Sequence, residues 1–198
     1  MCKTYYDKLY SRKNMKKVNY IKIINKYIEP DSPLYQLYII HAVLVTAKAI
    51  RIGKKLKLSK EKLMFIEEAS MLHDIGIINI KSEELGCHGK APYACHSLEG
   101  EKILKSEKLP RHAQVARSHI GVGISAKEIK KQKLPLPQED ILPKTIEEKI
   151  ISYSDLFYSK NPEILWNQKK PDEIRKTVKK WGRNKIKTFN QWHKIFKE

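Results

Sequence analysis

The sequence predicts an all-α fold, and three observations carry that prediction. Apolar residues recur at spacings of three and four along most of the chain, the period of one helix face, and few runs alternate as a half-buried strand does. Residues that cap helices stand in front of these periodic stretches, and Gly or Pro stands behind several of them. The chain has 198 residues, 41% of them hydrophobic, which is enough for one core of ordinary size without disulfide staples.

The elements follow in order. Val18, Ile21, Ile24 and Ile28 form an apolar stripe closed by Glu29-Pro30. Asp31 or Ser32 before Pro33 reads as an N-cap with proline in the first turn, opening a long helix to about Gly53. Ser59 can cap a third helix with the stripe Leu63, Ile66, Ala69 and Leu72, although Lys62 stands where a capping box has an acid or Gln. Gly76 reads as its end. Residues 77–94, with Gly86, Gly89 and Pro92, read as loop, followed by helices from His96 to about Glu107 and from Pro110 to about Ile120. Gly123, Pro135, Pro137 and Pro143 make residues 121–143 largely loop, apart from a short helical turn at Ala126–Lys131. Thr145 and Glu148 form a capping-box pair before Ile150, Ile151, Leu156 and Phe157, a helix that stops before Pro162. A terminal pair carries Ile174, Val178 and Trp181 on one stripe and Phe189, Trp192 and Phe196 on the next. Tryptophans at helical spacing usually fill a seam, so packing on the domain is preferred here to docking a partner or stacking bases.

Charge and cysteine usage bound the partners. The formal net charge is +18, unevenly spread: residues 1–26 carry +7, residues 160–198 carry +8 and the middle only +3. Basic ends of this kind can attract nucleic acid or other polyanions, but scattered lysines without an Arg-rich block read first as solvated helix faces. The organisation is a basic N-terminal extension at 1–31, a domain at 32–160 and a basic C-terminal extension at 161–198. Cys2, Cys87 and Cys95 cannot all pair within the chain, and no apolar signal stretch follows Met1, which points to a reducing cytoplasm. The most apolar run, Leu34 to Ile50, holds Gln36, His41 and Lys48 and reads as too short and too polar for a membrane span.

Four of the seven histidines and two aspartates fall where this helical map allows them to converge. The dipeptide His73-Asp74 sits among Met71, Leu72, Ile75 and Ile77, and burying an ionisable pair there costs several kcal/mol unless a partner or cation compensates it. Neighbours on a regular helix point about 100° apart, so both reach one ion only near a helix end or where two ions are bridged. Cys87-His88 and Cys95-His96 could supply sulfur and nitrogen ligands for structural zinc, but their spacing fits no strong zinc pattern.

The order His41, His73-Asp74, His96, His119 and Asp155, with intervals of 32, 22, 23 and 36 residues, resembles the HD-domain phosphohydrolase superfamily. Ile75-Gly76 completes its HDIG variant, and the likeness covers roughly residues 35 to 160. The resemblance implies a single HD-domain helical bundle with short N- and C-terminal helical extensions. It also implies a metal site of His41, His73, Asp74 and Asp155, with His96 and His119 as the additional ligands of dinuclear members. Asp74 would then bridge two divalent transition metals, and His73 and Asp74 would be the catalytic pair. Iron or manganese is favoured by resemblance; nickel, cobalt, zinc and magnesium are compatible, since ligand type alone does not choose.

The reaction so implied is hydrolysis of a phosphoester or phosphoanhydride of a nucleotide by hydroxide held between two cations about 3.5 to 4 Å apart. Arg111, His112 and Arg117 are candidates for the mouth of the site, and Gly121 and Gly123 for close backbone approach to a phosphate. The chain lacks the GYP signature of cyclic dinucleotide phosphodiesterases, which argues against that substrate. Two other readings are a one-metal nucleoside 5′-monophosphatase and a basic RNA-binding module with a vestigial HD site.

Overall fold

A computed structural model describes residues 17–198; Cys2 and residues 1–16 of the basic N-terminal stretch lie outside the described residues. Helix α1 is Tyr20–Tyr27, with the Asn19 side chain accepting from Lys22 N. Helix α2, Pro33–Lys55, is capped by Ser32 Oγ, which accepts from Tyr35 N at 3.1 Å, and has proline in its first turn. Helix α3, Lys60–Leu72, starts at the Ser59 cap. It stops four residues before Gly76, because the chain turns at His73 and Asp74 into a 3-10 segment, Ile75–Asn79.

The role of Gly76 is therefore not to end a helix. A Cβ on it would stand 2.0 Å from the carbonyl oxygen of His96 and 2.2 Å from Gly100 N, so only glycine lets the next helix approach this closely. That helix, α4, is His96–Ser106, followed by α5, Pro110–Ser118. Between Asn79 and α4 the sequence reads as loop, yet it holds a small antiparallel ladder, β1 (Lys81–Ser82) on β2 (Cys87–His88), with Lys81 opposite His88. Two-residue strands are too short to show a period.

Helix α6, Ala126–Gln132, has a full capping box from Ser125 and Glu128. Thr145 caps α7, Ile146–Asp155. Helices α8, Pro171–Trp181, and α9, Arg183–Phe196, end the chain.

Helix α2 is long and apolar enough to cross a membrane by length and composition alone. In this fold it is the central helix of the bundle: α3 and α7 pack along it, and His41 and Lys48 are buried. The Lys48 ammonium lies 4.1 Å over the Phe157 ring and reaches Glu198 Oε1 at 2.5 Å. Ile174, Val178, Phe189, Trp192 and Phe196 join one apolar cluster with Val45, Ile52, Tyr153 and Phe157. The terminal pair thus shares the core of α2 and α7. Trp181, expected on the same stripe, is instead 43% exposed. It is the last residue of α8, where the chain turns at Gly182 into α9.

Candidate metal centre

Helix ends build the centre. His73 is the residue after α3, His119 the residue after α5, Asp155 the last of α7 and His96 the first of α4, while His41 comes from the body of α2. Three helix C-termini, those of α3, α5 and α7, converge here, and the partial negative charge at each favours a cation. Asp74 leaves helical geometry at φ −102°, ψ 8°, which lets two adjacent side chains turn to one point.

The two oxygens of Asp74 divide the histidines between them. Oδ2 lies 3.2 Å from His41 Nε2 and 3.3 Å from His73 Nε2, whereas Oδ1 lies 3.3 Å from His119 Nε2 and 3.6 Å from His96 Nε2. Asp155 Oδ1 joins the first set, 3.0 Å from His41 Nε2 and 3.5 Å from His73 Nε2. Two groups result, His41, His73, Asp74 and Asp155, and Asp74, His96 and His119, and within each the ligand atoms all lie within 4.8 Å of one another.

The hydrogen bonding fits a cation. Nδ1 of His73, His96 and His119 lies 2.6, 2.8 and 2.7 Å from the carbonyl oxygens of Ser70, Tyr93 and Ala116, each three residues earlier. An Nδ1–H donated there leaves the Nε2 lone pair facing inward, the arrangement that orients metal-bound histidine. His73 Nε2, both nitrogens of His41, Asp74 Oδ1 and Asp155 Oδ1 are buried without a hydrogen-bond partner. His96 Nε2 and His119 Nε2 face each other at 3.0 Å, and two lone pairs at that distance repel unless something positive lies beside them. Burial pushes the His73 imidazole down, but Asp74 and Asp155 outweigh it and raise the group to about 10. The field that holds a proton on that ring is the field that would hold a metal ion. Burial and the neighbouring His119 push His96 down to about 4, which leaves its ring neutral.

Lys160 is the residue that sequence reasoning missed. Its ammonium sits 2.8 Å from Asp74 Oδ2 and 3.9 Å from Asp155 Oδ1, with only 12% of the side chain exposed. Together with His73 it holds Asp74 well below the usual carboxylate range, against the upward push of burial. The one signal was its position in SYSDLFYSK, five residues after Asp155, a separation that brings it back only because α7 ends at Asp155.

A cavity of about 280 Å³ opens on the centre, lined by His96, His119 and Asp155 together with Tyr93, Lys160, Lys169 and Trp181. Gly121 lines it too, and Gly123 lines an adjoining cavity of about 230 Å³. The other three residues expected at the mouth lie elsewhere, because α5 turns them away. His112 is buried, 3.2 Å from Glu68 Oε2 and edge-on to Phe65. Arg111 lies 4.1 Å over the Phe65 ring. Arg117 pairs with Glu101 and, at 2.5 Å, with Glu139. Cys87 Sγ and Cys95 Sγ approach the carbonyl oxygens of Leu85 and Pro135.

Comparison with known proteins agrees with this architecture. The chain is 37% identical over 120 residues to an uncharacterized protein of Methanocaldococcus jannaschii, 58% of each chain being covered. It is 34% identical over 95 residues to a tRNA (cytidine(56)-2′-O)-methyltransferase of Picrophilus torridus, covering 48% of this chain and 24% of that one. The match to the same-named protein of Thermoplasma volcanium is 28% over 129 residues, or 65% and 33%. The chain therefore spans a quarter to three fifths of the length of these curated relatives. Among solved structures, the HD domain of the L. monocytogenes phosphodiesterase PgpH superimposes with a TM-score of 0.50 at 16% identity, covering 88% of this chain and 94% of that one. Its complex with cyclic-di-AMP gives 0.51 at 15%, covering 90% and 96%. At such identity the likeness is one of fold. The HD domain family itself matches residues 38–159, from α2 through the residue before Lys160, and the chain belongs to the HD domain family.

Proposed function

We propose that this protein is a phosphohydrolase that acts on a phosphoester or phosphoanhydride of a nucleotide and uses two divalent ions that share Asp74. The observation that carries the reading is the division of the Asp74 oxygens between two histidine sets. His41, His73, Asp155 and Asp74 Oδ2 would hold one ion, and His96, His119 and Asp74 Oδ1 the other. Imidazole and carboxylate donors suit iron or manganese, and equally nickel, cobalt or zinc. Divalent ions held there would polarise a phosphoryl oxygen and lower the pKa of a coordinated water.

The protein's own part is positioning. The carbonyls of Ser70, Tyr93 and Ala116 hold three rings in register, and burial of the cluster excludes bulk water. Lys160 and Lys169 bring positive charge to the wall of the cavity where a phosphate would enter. Nucleotide substrates are supported by the sequence resemblance and by the cyclic-di-AMP bound to the PgpH neighbour. The alternative of an RNA-binding module draws on the tRNA methyltransferase relatives and on the basic ends; the gathering of six residues that could hold metal speaks against a vestigial site.

The test is elemental analysis of protein purified without chelator or affinity-tag metal, alongside turnover of a nucleotide panel in iron, manganese, nickel and magnesium. Close to two transition metals per chain with phosphate release is the expected result. One metal per chain points to the mononuclear 5′-monophosphatase. No metal and no turnover, with RNA binding that weakens steeply with salt, points to the RNA-binding module.

A further inference from the structure

Two cavities meet beside the metal centre, and their walls differ in chemistry. The first carries Lys160, whose ammonium is paired with Asp74, and Lys169, which no ion pair holds among the described residues. The second is walled by Ile120, Ile124, Leu134 and Leu136, and the cation on its rim, Lys185, is already neutralised. Its ammonium donates to Glu128 Oε2 at 2.6 Å and to the Gly123 carbonyl at 2.5 Å. Phosphate thus has a place in the first cavity and an uncharged, apolar group in the second.

Two large aromatic rings line both cavities, Tyr93 and Trp181, and both are more than 40% exposed where residues of their size are usually buried. Neither ring is loose. Tyr93 packs 5.0 Å from the His96 ring. Trp181 rests on Gly121, two residues after His119, so closely that a Cβ on Gly121 would lie 2.7 Å from the indole. Gly121 is also at φ +56°, a conformation other residues resist. Each ring is therefore seated on a residue at or next to the metal centre and lines both cavities. Trp181 lies beyond the residues matched by the family; it is the last residue of α8.

We propose that Trp181 determines specificity, stacking the nucleobase of the substrate in the apolar cavity while its phosphate occupies the lysine-lined one. This rests on the phosphohydrolase reading for the phosphate and on the Trp181 geometry for the base. A base stacked on an aromatic side chain contributes about 1–3 kcal/mol, which corresponds to a preference of roughly 5- to 140-fold.

The test separates the two parts. Adenosine, which carries no phosphate, is titrated against tryptophan emission and followed by calorimetry. The expected result is saturable quenching and binding in the wild type and in Trp166→Phe. Trp181→Leu should lose binding by at least fivefold, while Trp181→Phe, which keeps a ring, should bind within a few-fold of wild type. In turnover, the ratio of kcat/KM for adenosine 5′-phosphates over ribose 5-phosphate should fall by a similar factor in Trp181→Leu, with folding checked by circular dichroism. Adenosine binding as tightly to Trp181→Leu as to wild type, or a wild-type enzyme that does not distinguish the base-free substrate, overturns the proposal and leaves the hydrolase reading standing. Adenosine binding through Trp181 without hydrolysis of any phosphoester supports the base site and overturns the hydrolase reading.

Discussion

Helices α3 and α5 each contribute to two buried histidine and carboxylate clusters, and the two differ in how their polar atoms are satisfied. In the helix bodies, Glu68 accepts from Val18 N at 2.8 Å through Oε1 and lies 3.2 Å from His112 Nε2 through Oε2. At the helix ends, His73 and His119 turn Nε2 towards Asp74, and His73 Nε2, both nitrogens of His41, Asp74 Oδ1 and Asp155 Oδ1 have no hydrogen-bond partner. The physical cause lies in the position along the helix. The last turn leaves carbonyls without intrahelical partners, and Ser70 O and Ala116 O take the Nδ1–H groups, which points the remaining lone pairs inward. A closed cluster contributes to stability, whereas an open one is held in a costly state by the fold and is stabilised by what binds it.

The largest effect expected from breaking this contrast is at Asp74. Added manganese should raise the melting temperature of the wild type, and Asp74→Ala should abolish both that rise and turnover, because this carboxylate faces both histidine sets. A variant that still hydrolyses substrate would exclude the shared-ligand arrangement. Next comes Glu68→Ala, which leaves the buried His112 and the part-buried Val18 N without their acceptor. It should cost roughly 1–3 kcal/mol of stability, read from the denaturant midpoint, while metal content and kcat stay as in wild type. Loss of metal in that variant would show that the two clusters are not independent. The smallest contrast is between two cations near α5 and α7. Lys160→Ala should lower kcat/KM tenfold or more at little change in melting temperature. Arg117→Ala, whose pairs with Glu101 and Glu139 lie away from the cavity, should leave kcat/KM as in wild type while costing roughly 1–3 kcal/mol of stability, and comparable losses of kcat/KM in the two would show that the site extends to Arg117.

Parts of the site were legible before any fold was known. Ligand chemistry demands His and Asp, their order along the chain survives without geometry, and capping residues such as Ser32, Ser59 and Thr145 mark where helices begin. His112 and Arg117 show the other side. They sit on the same short helix that leads to His119, and nothing local tells which way each faces; Glu68 and Glu101, each supplied by another helix, decide it. Gly76 shows the same dependence in the backbone, since its reason is the passage of His96 and Gly100 alongside.

By itself, then, the sequence determined the helical class and the starts of most helices, because these rest on local periodicity and capping, while its resemblance to HD-domain proteins implied the six residues of one centre. The tertiary structure alone decided the rest: how Asp74 divides its oxygens, that Lys160 returns to it, and that Trp181 faces a cavity while Phe189 and Phe196 fill the core. Those choices depend on contacts between residues far apart along the chain, and a helical period of 3.6 names a face without naming its neighbour.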